Sequence, residues 1–470
     1  MAYAFRAKTR LCPVLENVYI QNPRVPTGYV CNCPPVIVPP VPPVPTPPIG
    51  IFGTINFTNV TNTTVDISWT FTQTSGDPVT YYNVFYTPAG GSLQTFVSTG
   101  TSCSLLGLTP NTVYTVSIQA ANAAGNGIQS SPATFTTTFS ISWIPANSVP
   151  FGTLSVGAWA TSVSYGNSLW VAVGHMPPGN QGGIYTSTDA TTWTLVTGAG
   201  APPSNWIIND IAFNGSLWMA TGVNPSGIGF DVYTSVDGTN WVGKSLVFGT
   251  GGGLSIYYGS GTWVVGGLGG TMFYSLDDGT TWTAVISTTM TPVLNGNQVN
   301  LIRYANGQWV ALGQTPSTPT STPIWTSPDG IHWSPSGPSP LSTFVYPNGV
   351  VYSNGTWVLV ASGILNTTQL ATSTDGITLT LYTGVFPVAF VGFSISYFNN
   401  VWIVVGYNGG GGGANSYSLT YSGGTFTAIA SPTLPALLFG NGGNGYRVEY
   451  ANGIFVAVGA TASGTTIYHT

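Results

Sequence analysis

Charge is what this sequence has least of. Asp, Glu, Lys and Arg make up 4% of its 470 residues, where an ordinary globular chain carries about a quarter. Hydrophobic residues stand at 43%, so a core can be built, and the polar surface must come from Ser, Thr, Asn, Gln and Gly. That palette suits sheets and tight turns and is poor in helix formers, which predicts an all-β fold with almost no helix. Positive charge is scarcest. Arg6, Lys8, Arg10 and Arg24 are four of the seven basic residues, and from Val25 to Gly243 there is no Lys or Arg. The remainder offers Lys244, Arg303 and Arg447, too few to neutralise a run of phosphates, which argues against a nucleic-acid partner. The basic N-terminus reads either as a contact for an acidic surface or as plain solvation.

Cysteine is nearly as rare. Three of the four, Cys12, Cys31 and Cys33, lie in the N-terminal 34 residues, and the three histidines, His175, His332 and His469, are far from them. The Cys31-Asn32-Cys33 spacing is too short for a zinc knuckle. No metal or cofactor is expected, and the tail cysteines are candidates for disulfide anchoring, with free thiols as the alternative. Cys103 falls in a stretch that reads as a strand, as a small buried hydrophobe. Long apolar runs are missing too. None approaches the roughly 20 residues of a membrane span, and the first 25 residues lack the apolar core of a secretory signal. Yet low charge and several Asn-x-Ser/Thr triplets (Asn56, Asn59, Asn62, Asn214, Asn354, Asn366) look extracellular. The expected location is extracellular or on a virion surface, since a virion component assembled in cytoplasm reconciles the two signals; non-classical export is the alternative.

Turn residues without sustained period mark residues 1–33 as an extended tail. Residues 34–50 are Pro-rich and read as a stiff polyproline II spacer of about 3.1 Å per residue, with a signalling ligand for aromatic grooves as the alternative. Residues 51–138 read as an immunoglobulin-like β-sandwich. Val65-Asp66-Ile67-Ser68-Trp69 and Tyr82-Asn83-Val84-Phe85-Tyr86 alternate as strands. Trp69, the run Leu108, Pro110, Thr112, Tyr114, and the turn Ala120, Asn122, Gly125 together resemble a fibronectin type III domain. The resemblance implies a corner in which the Tyr114 hydroxyl bonds back to the backbone. Such modules are spacers or binding units.

From residue 139 to 470 one unit repeats seven times. Its key aromatic falls at Trp170, Trp218, Trp263, Trp309, Trp357, Trp402 and Phe455, at spacings of 45 to 53 residues. A unit of this length holds about four strands and cannot bury its apolar faces alone, which predicts a seven-bladed β-propeller. Each Trp-Val-Ala-Val-Gly strand is followed by a second motif. Its copies are Ser187, Asp189, Trp193; Ser235, Asp237, Trp241; Ser275, Asp277, Gly279, Trp282; Ser327, Asp329, Trp333; and Ser373, Asp375, with Leu379 in the Trp place. A sixth, Thr420 to Phe426, has no Asp. These copies resemble the Asp-box of sialidase-like propellers, Ser-x-Asp-x-Gly-x-x-Trp, which only the Asp277 copy matches in full. In the turn the Asp accepts backbone N–H bonds and the Gly supplies positive φ, so these residues read as structural. The last repeat stops at Thr466–Thr470, and Phe139–Trp143 is an orphan strand. Trp143 and Tyr468 are therefore expected to close the ring, with 139–146 beside 465–470.

The sialidase resemblance implies an enzyme, and the residues argue against it. That family binds a sugar carboxylate through three Arg and assists a nucleophilic Tyr with a Glu; here the propeller has Arg303, Arg447 and the single Glu449. Arg447 and Glu449, two apart on one strand, read as a local ion pair. No facing carboxylate pair, nucleophile elbow or phosphate loop is legible. The expectation is a non-enzymatic structural or surface-display protein, a virion surface or minor capsid protein. Its tail binds other chains of the assembly and its propeller faces outward. The alternative is a propeller lectin that binds glycans or a host receptor; a glycoside-acting enzyme is the weakest reading.

Overall fold

The structure is a computed structural model. It describes residues 44–138, 143–147, 150–151, 158–176, 181–198, 201–203, 206–223, 231–245, 247–248, 251–287, 298–314, 324–335, 344–363, 368–387, 389–408, 415–422, 424–430, 439, 443–460 and 466–470. The tail with Cys12, Cys31 and Cys33 lies outside the described residues, as do residues 139–142. All the regular elements among the described residues are strands.

Alternating apolar residues close the first part into a sandwich. Val113–Asn122 and Tyr81–Pro88 pair at the centre of one sheet, flanked by Ala133–Thr136 and Gln94–Ser98; Val65–Ser68 pairs with Asn56–Thr58 and Ser102–Leu105 in the other. Between them lie Val84, Val116, Ile118 and Trp69, each large side chain contributing about 1.5–3 kcal/mol by leaving water. Trp69 sits just past its strand and not within it, edge-on to Tyr82 at 5.4 Å. The Tyr114 hydroxyl accepts the Thr109 N–H at 2.9 Å, pinning the corner. The first strand begins at Ile49, inside the Pro-rich stretch, and the Asn122 amide donates to the Thr46 carbonyl at 2.9 Å. Cys103 is half-buried in Ser102–Leu105, and burial, aided by the Asp66 charge, pushes its thiol up to about 11.

The repeats form seven blades. Their inner strands are Trp159–Gly166, Ile207–Phe213, Gly253–Gly259, Gln298–Ala305, Phe344–Ser353, Phe390–Phe398 and Asn444–Ala451. Each pairs with the strand that carries the key aromatic, and a third and fourth strand follow outward. The sixth and seventh blades are also joined by one bridge, Tyr407 to Asn444. Trp170, Trp218, Trp263, Trp309 and Trp357 are all at or below 1% exposure, packed between neighbouring blades. In six blades the inner hairpin turns on two residues of positive φ, as at Asn306-Gly307 and Asn452-Gly453. Such turns match the right-handed twist of the strands.

The fourth strand of the seventh blade comes from the other end of the repeats. Ile144–Pro145 pairs with His469 and Tyr468, within the expected 139–146, of which 139–142 lie outside the described residues. Trp143 is buried beside Tyr468, Phe439 and Phe455. Ala160, Val163 and Trp170 of the first blade share one core with Val456, Val458 and Ile467 of the seventh, so the ring is closed.

The two faces of the ring differ. One carries the inner hairpins and the Ser-x-Asp turns. At the other lie the strand ends that the longer connections join, of four to thirteen residues. The sandwich meets the hairpin face. In the sixth blade's hairpin the Asn399 amide donates to the Pro110 carbonyl and the Thr112 hydroxyl, and the Asn111 amide donates to the Asn399 carbonyl at 2.9 Å.

Candidate functional site

The Ser-x-Asp turns are built from hydrogen bonds within one short segment. At Asp189, Asp237, Asp329 and Asp375 one carboxylate oxygen accepts the two backbone N–H groups two and three residues on, at 2.7–2.8 Å. Ser187, Ser235, Ser275, Ser327 and Ser373 donate their hydroxyls to the Asp of their own turn at 2.8–3.1 Å. The indoles of Trp193, Trp241 and Trp333 donate to the carbonyls of Ala190, Gly238 and Gly330, each at 2.9 Å. Those three residues have positive φ. The Thr192 N–H is the largest cause holding the Asp189 carboxyl below its usual range, and the Thr281 N–H takes Asp277 down to about 2. At Asp237 and Asp329 burial pushes upward, and the Asn240 amide and the His332 N–H, with their neighbours, outweigh it.

The Asp277 turn is one residue longer, and that residue has its own contacts. Asp278, at φ 54, accepts the Trp263 indole and the Asn214 amide, both at 3.1 Å, tying the third blade to the second. Gly279 also has positive φ, and the Trp282 indole nitrogen has no hydrogen-bond partner among the described residues. In the fifth turn Leu379 packs partly buried where a Trp stands elsewhere. In the sixth, Ser416–Ser422 and Thr425–Ala430 form a plain hairpin, so no Asp is needed.

A different polar system runs through the middle of the ring. Every inner strand breaks register, at Thr161, Asn209, Leu254, Asn300, Asn348, Phe393 and Tyr446, and that of the fifth blade breaks a second time between Phe344 and Tyr346. A bulge leaves one residue unpaired and redirects it. These seven, with Trp159, Asp210, Leu301 and Arg447, line a chamber of about 300 Å³ at the long-connection face. Thr161, Asn209 and Asn348 each donate to a backbone carbonyl of the next blade, those of Ile208, Gly253 and Gly392, at 2.8–3.0 Å. Further along the strands the direction reverses. The Ser255, Ser394 and Ser396 hydroxyls accept the N–H groups of Ile302, Val448 and Tyr450 in the following blade at 3.0–3.2 Å. Glu449 does the same across the closing seam, accepting the Tyr165 N–H at 3.3 Å.

Asp210 is the hub of this belt. Its carboxylate accepts the Ser162 and Ser255 hydroxyls, the Ile211 and Ile256 N–H groups and the Arg447 guanidinium, at 2.7–3.1 Å. Four blades meet there. Arg447 and Glu449 are therefore not the local ion pair that their spacing suggested. The carboxylate bonded to Arg447 is Asp210, 3.1 Å away on another blade, because alternate residues of an inner strand reach different neighbours. Glu449 is half-buried at the channel wall, and burial pushes its carboxyl up to about 7 against the pull of Arg447. Burial pushes Tyr257 up to about 12, helped by the Glu449 charge. Asp231, also unassigned by sequence, is fully buried and accepts the Val247 and Phe248 N–H groups at 2.7 Å, anchoring the segment after the second blade.

A second chamber, of about 400 Å³, opens at the hairpin face. Its collar is one aromatic residue per blade: Tyr165, Phe213, Tyr258, Tyr304, Tyr352, Tyr397 and Tyr450. Each packs on the key aromatic of its own blade with ring centroids 4.6–5.1 Å apart. The signal was present in the sequence, since each stands five residues before that aromatic. Below the collar lie Arg303, Arg447, Glu449 and Tyr257. Among the described residues no three His, Cys, Asp or Glu side chains gather as a metal site.

The family model of the fibronectin type III domain matches residues 48–137. No curated protein matches the chain. Among solved structures, YCF48 bound to D1 peptide is 16% identical, covering 70% of this chain and 96% of that one at a TM-score of 0.49. YCF48 from Cyanidioschyzon merolae is 14% identical, covering 70% and 98% at 0.48. The computationally designed Ika8 protein is 11% identical, covering 68% and 98% at 0.39. Sandwich, blades and closed ring together make this an all-β protein in which a fibronectin type III domain precedes a seven-bladed propeller.

Proposed function

We propose that the protein is a non-enzymatic structural and display component of a large extracellular assembly, a virion surface or minor capsid protein. Residues 1–33 tether it to other chains of that assembly, and the propeller is its head. The carrying observation is the join at Asn399. A sandwich bonded to the hairpin face leaves the long-connection face directed away from the N-terminal side. Surface variety in such folds concentrates in connections rather than in the scaffold. We read the Ser-x-Asp turns as Asp-boxes in the sialidase-like sense, used as scaffold: their carboxylates are occupied by their own turns. Asp210, with five donors, has no free capacity for acid or base work.

Trypsin tests the tether, because its sites before Lys244 are Arg6, Lys8, Arg10 and Arg24. The free full-length protein should be cut there rapidly, and the assembled protein should be protected. Equal cleavage in both states sinks the tether and leaves a free binding protein. One observation favours the lectin reading of the head: the amides of Asn209, Asn300 and Asn348 share the long-connection mouth with Trp159 and Tyr446. Polar amides beside aromatic rings suit a sugar. A glycan array with the full chain tests it.

A further inference from the structure

Among the described residues the belt accounts for every charge in the channel except one. Arg447 is bonded to Asp210, and Glu449 accepts from Ser164 and Tyr165. Arg303 has no carboxylate within 4 Å among the described residues. Its guanidinium lies 4.9 Å from the Tyr257 ring centroid and donates to the carbonyl of Ile302, its own chain neighbour. A guanidinium has five N–H donors in a planar fork, and Arg303, half-buried beside the chamber, spends a donor on Ile302. The chamber beside it is about 400 Å³, within the range of small-molecule sites. Its collar is seven aromatic rings.

We propose that the hairpin-face chamber binds a small aromatic carboxylate, whose carboxylate takes the Arg303 fork and whose ring packs within the aromatic collar. The charge count selects a monoanion. Asp210 is committed to Arg447 and Glu449 to the closing seam at Tyr165, which leaves one guanidinium, Arg303, without a carboxylate partner among the described residues. One negative charge completes that set, whereas a phosphate dianion overshoots it. The collar supplies ring faces and phenol edges that a bare inorganic ion does not use. The inference stands independently of where the protein is displayed.

Benzoate is the probe, titrated calorimetrically into the full-length protein at neutral pH beside acetate, chloride and benzamide. Benzoate should bind, and acetate, chloride and benzamide should each be at least about tenfold weaker. Arg303→Met should abolish benzoate binding while the thermal melt stays that of the parent. Because Arg303→Met could fold poorly, the benzoate–benzamide ratio on the parent protein is a separate check on the charge. No heat with benzoate at about 10 mM overturns the proposal. So does equal binding of benzoate and benzamide, or unchanged benzoate binding in folded Arg303→Met. Equal binding of chloride and benzoate removes the collar and overturns the aromatic assignment.

Discussion

The rim turns and the channel belt both rest on carboxylates, and they use them in opposite ways. At the rim, Asp189, Asp237, Asp329 and Asp375 bond to groups two and three residues away, near solvent, and the arrangement repeats from blade to blade. In the channel, Asp210 and Glu449 line the interior, occur once each, and bond across blades, as far as 237 and 285 residues along the chain. A rim Asp organises its own hairpin. A channel carboxylate organises the ring. The seven-fold repeat therefore says nothing about the charged residues that break it.

The sharpest way to break this comparison is Asp210→Ala. It strands Arg447 and four other donors in the channel, and loss of one partner of a buried pair costs about 3–5 kcal/mol. Urea unfolding should show that loss, and adding Arg447→Met should recover part of it. Wild-type stability in Asp210→Ala would refute the hub.

Next in size is the pH response, whose sign differs between the regions. Glu449 is raised from 4.5 to about 7 in the fold, so the folded state keeps a proton that the unfolded chain has lost. Its stabilisation is complete below about 4.5 and disappears as pH rises through about 7. The rim carboxyls are lowered from 3.8, so theirs holds above that value and is lost as pH falls through their folded values. Burial takes His175 down to about 4, which adds a slope of the opposite sign below about pH 6.5, so the readout is a difference. Between pH 5 and pH 8 thermal melting should fall more with rising pH in the parent than in Glu449→Gln, with the acid limb the same in both. An unchanged slope in the variant assigns the pH response elsewhere.

Smaller still are the rim truncations. Asp329→Ala and Asp375→Ala should each cost roughly 0.5–1 kcal/mol, since the freed N–H groups can turn to water. The two losses should add, because each turn is self-contained. A coupling above about 0.5 kcal/mol would mean that the turns communicate. The smallest effect is His332→Ala. The His332–Asp329 pair is 2.7 Å long but its side chains are 61% and 43% exposed, so its loss should fall below about 0.5 kcal/mol and fade in high salt.

What the sequence determined by itself is whatever is local or periodic. Strand alternation marked the sandwich, and Leu108 to Tyr114 marked its corner. The recurring Trp and Ser-x-Asp motifs marked seven blades and their turns, because a motif spanning seven or eight residues carries its own hydrogen-bond partners. The aromatic collar was equally legible in principle, five residues before each key aromatic. Only the tertiary structure decided that Arg447 pairs with Asp210, that Glu449 seals the seam to Tyr165, and that Arg303 is left facing an open chamber. It alone placed Asn399 against Pro110 and Thr112. Those contacts join residues far apart in the chain, on inner strands whose bulges choose which neighbour a side chain reaches. Ring closure brings them together, and spacing along one blade carries no trace of it.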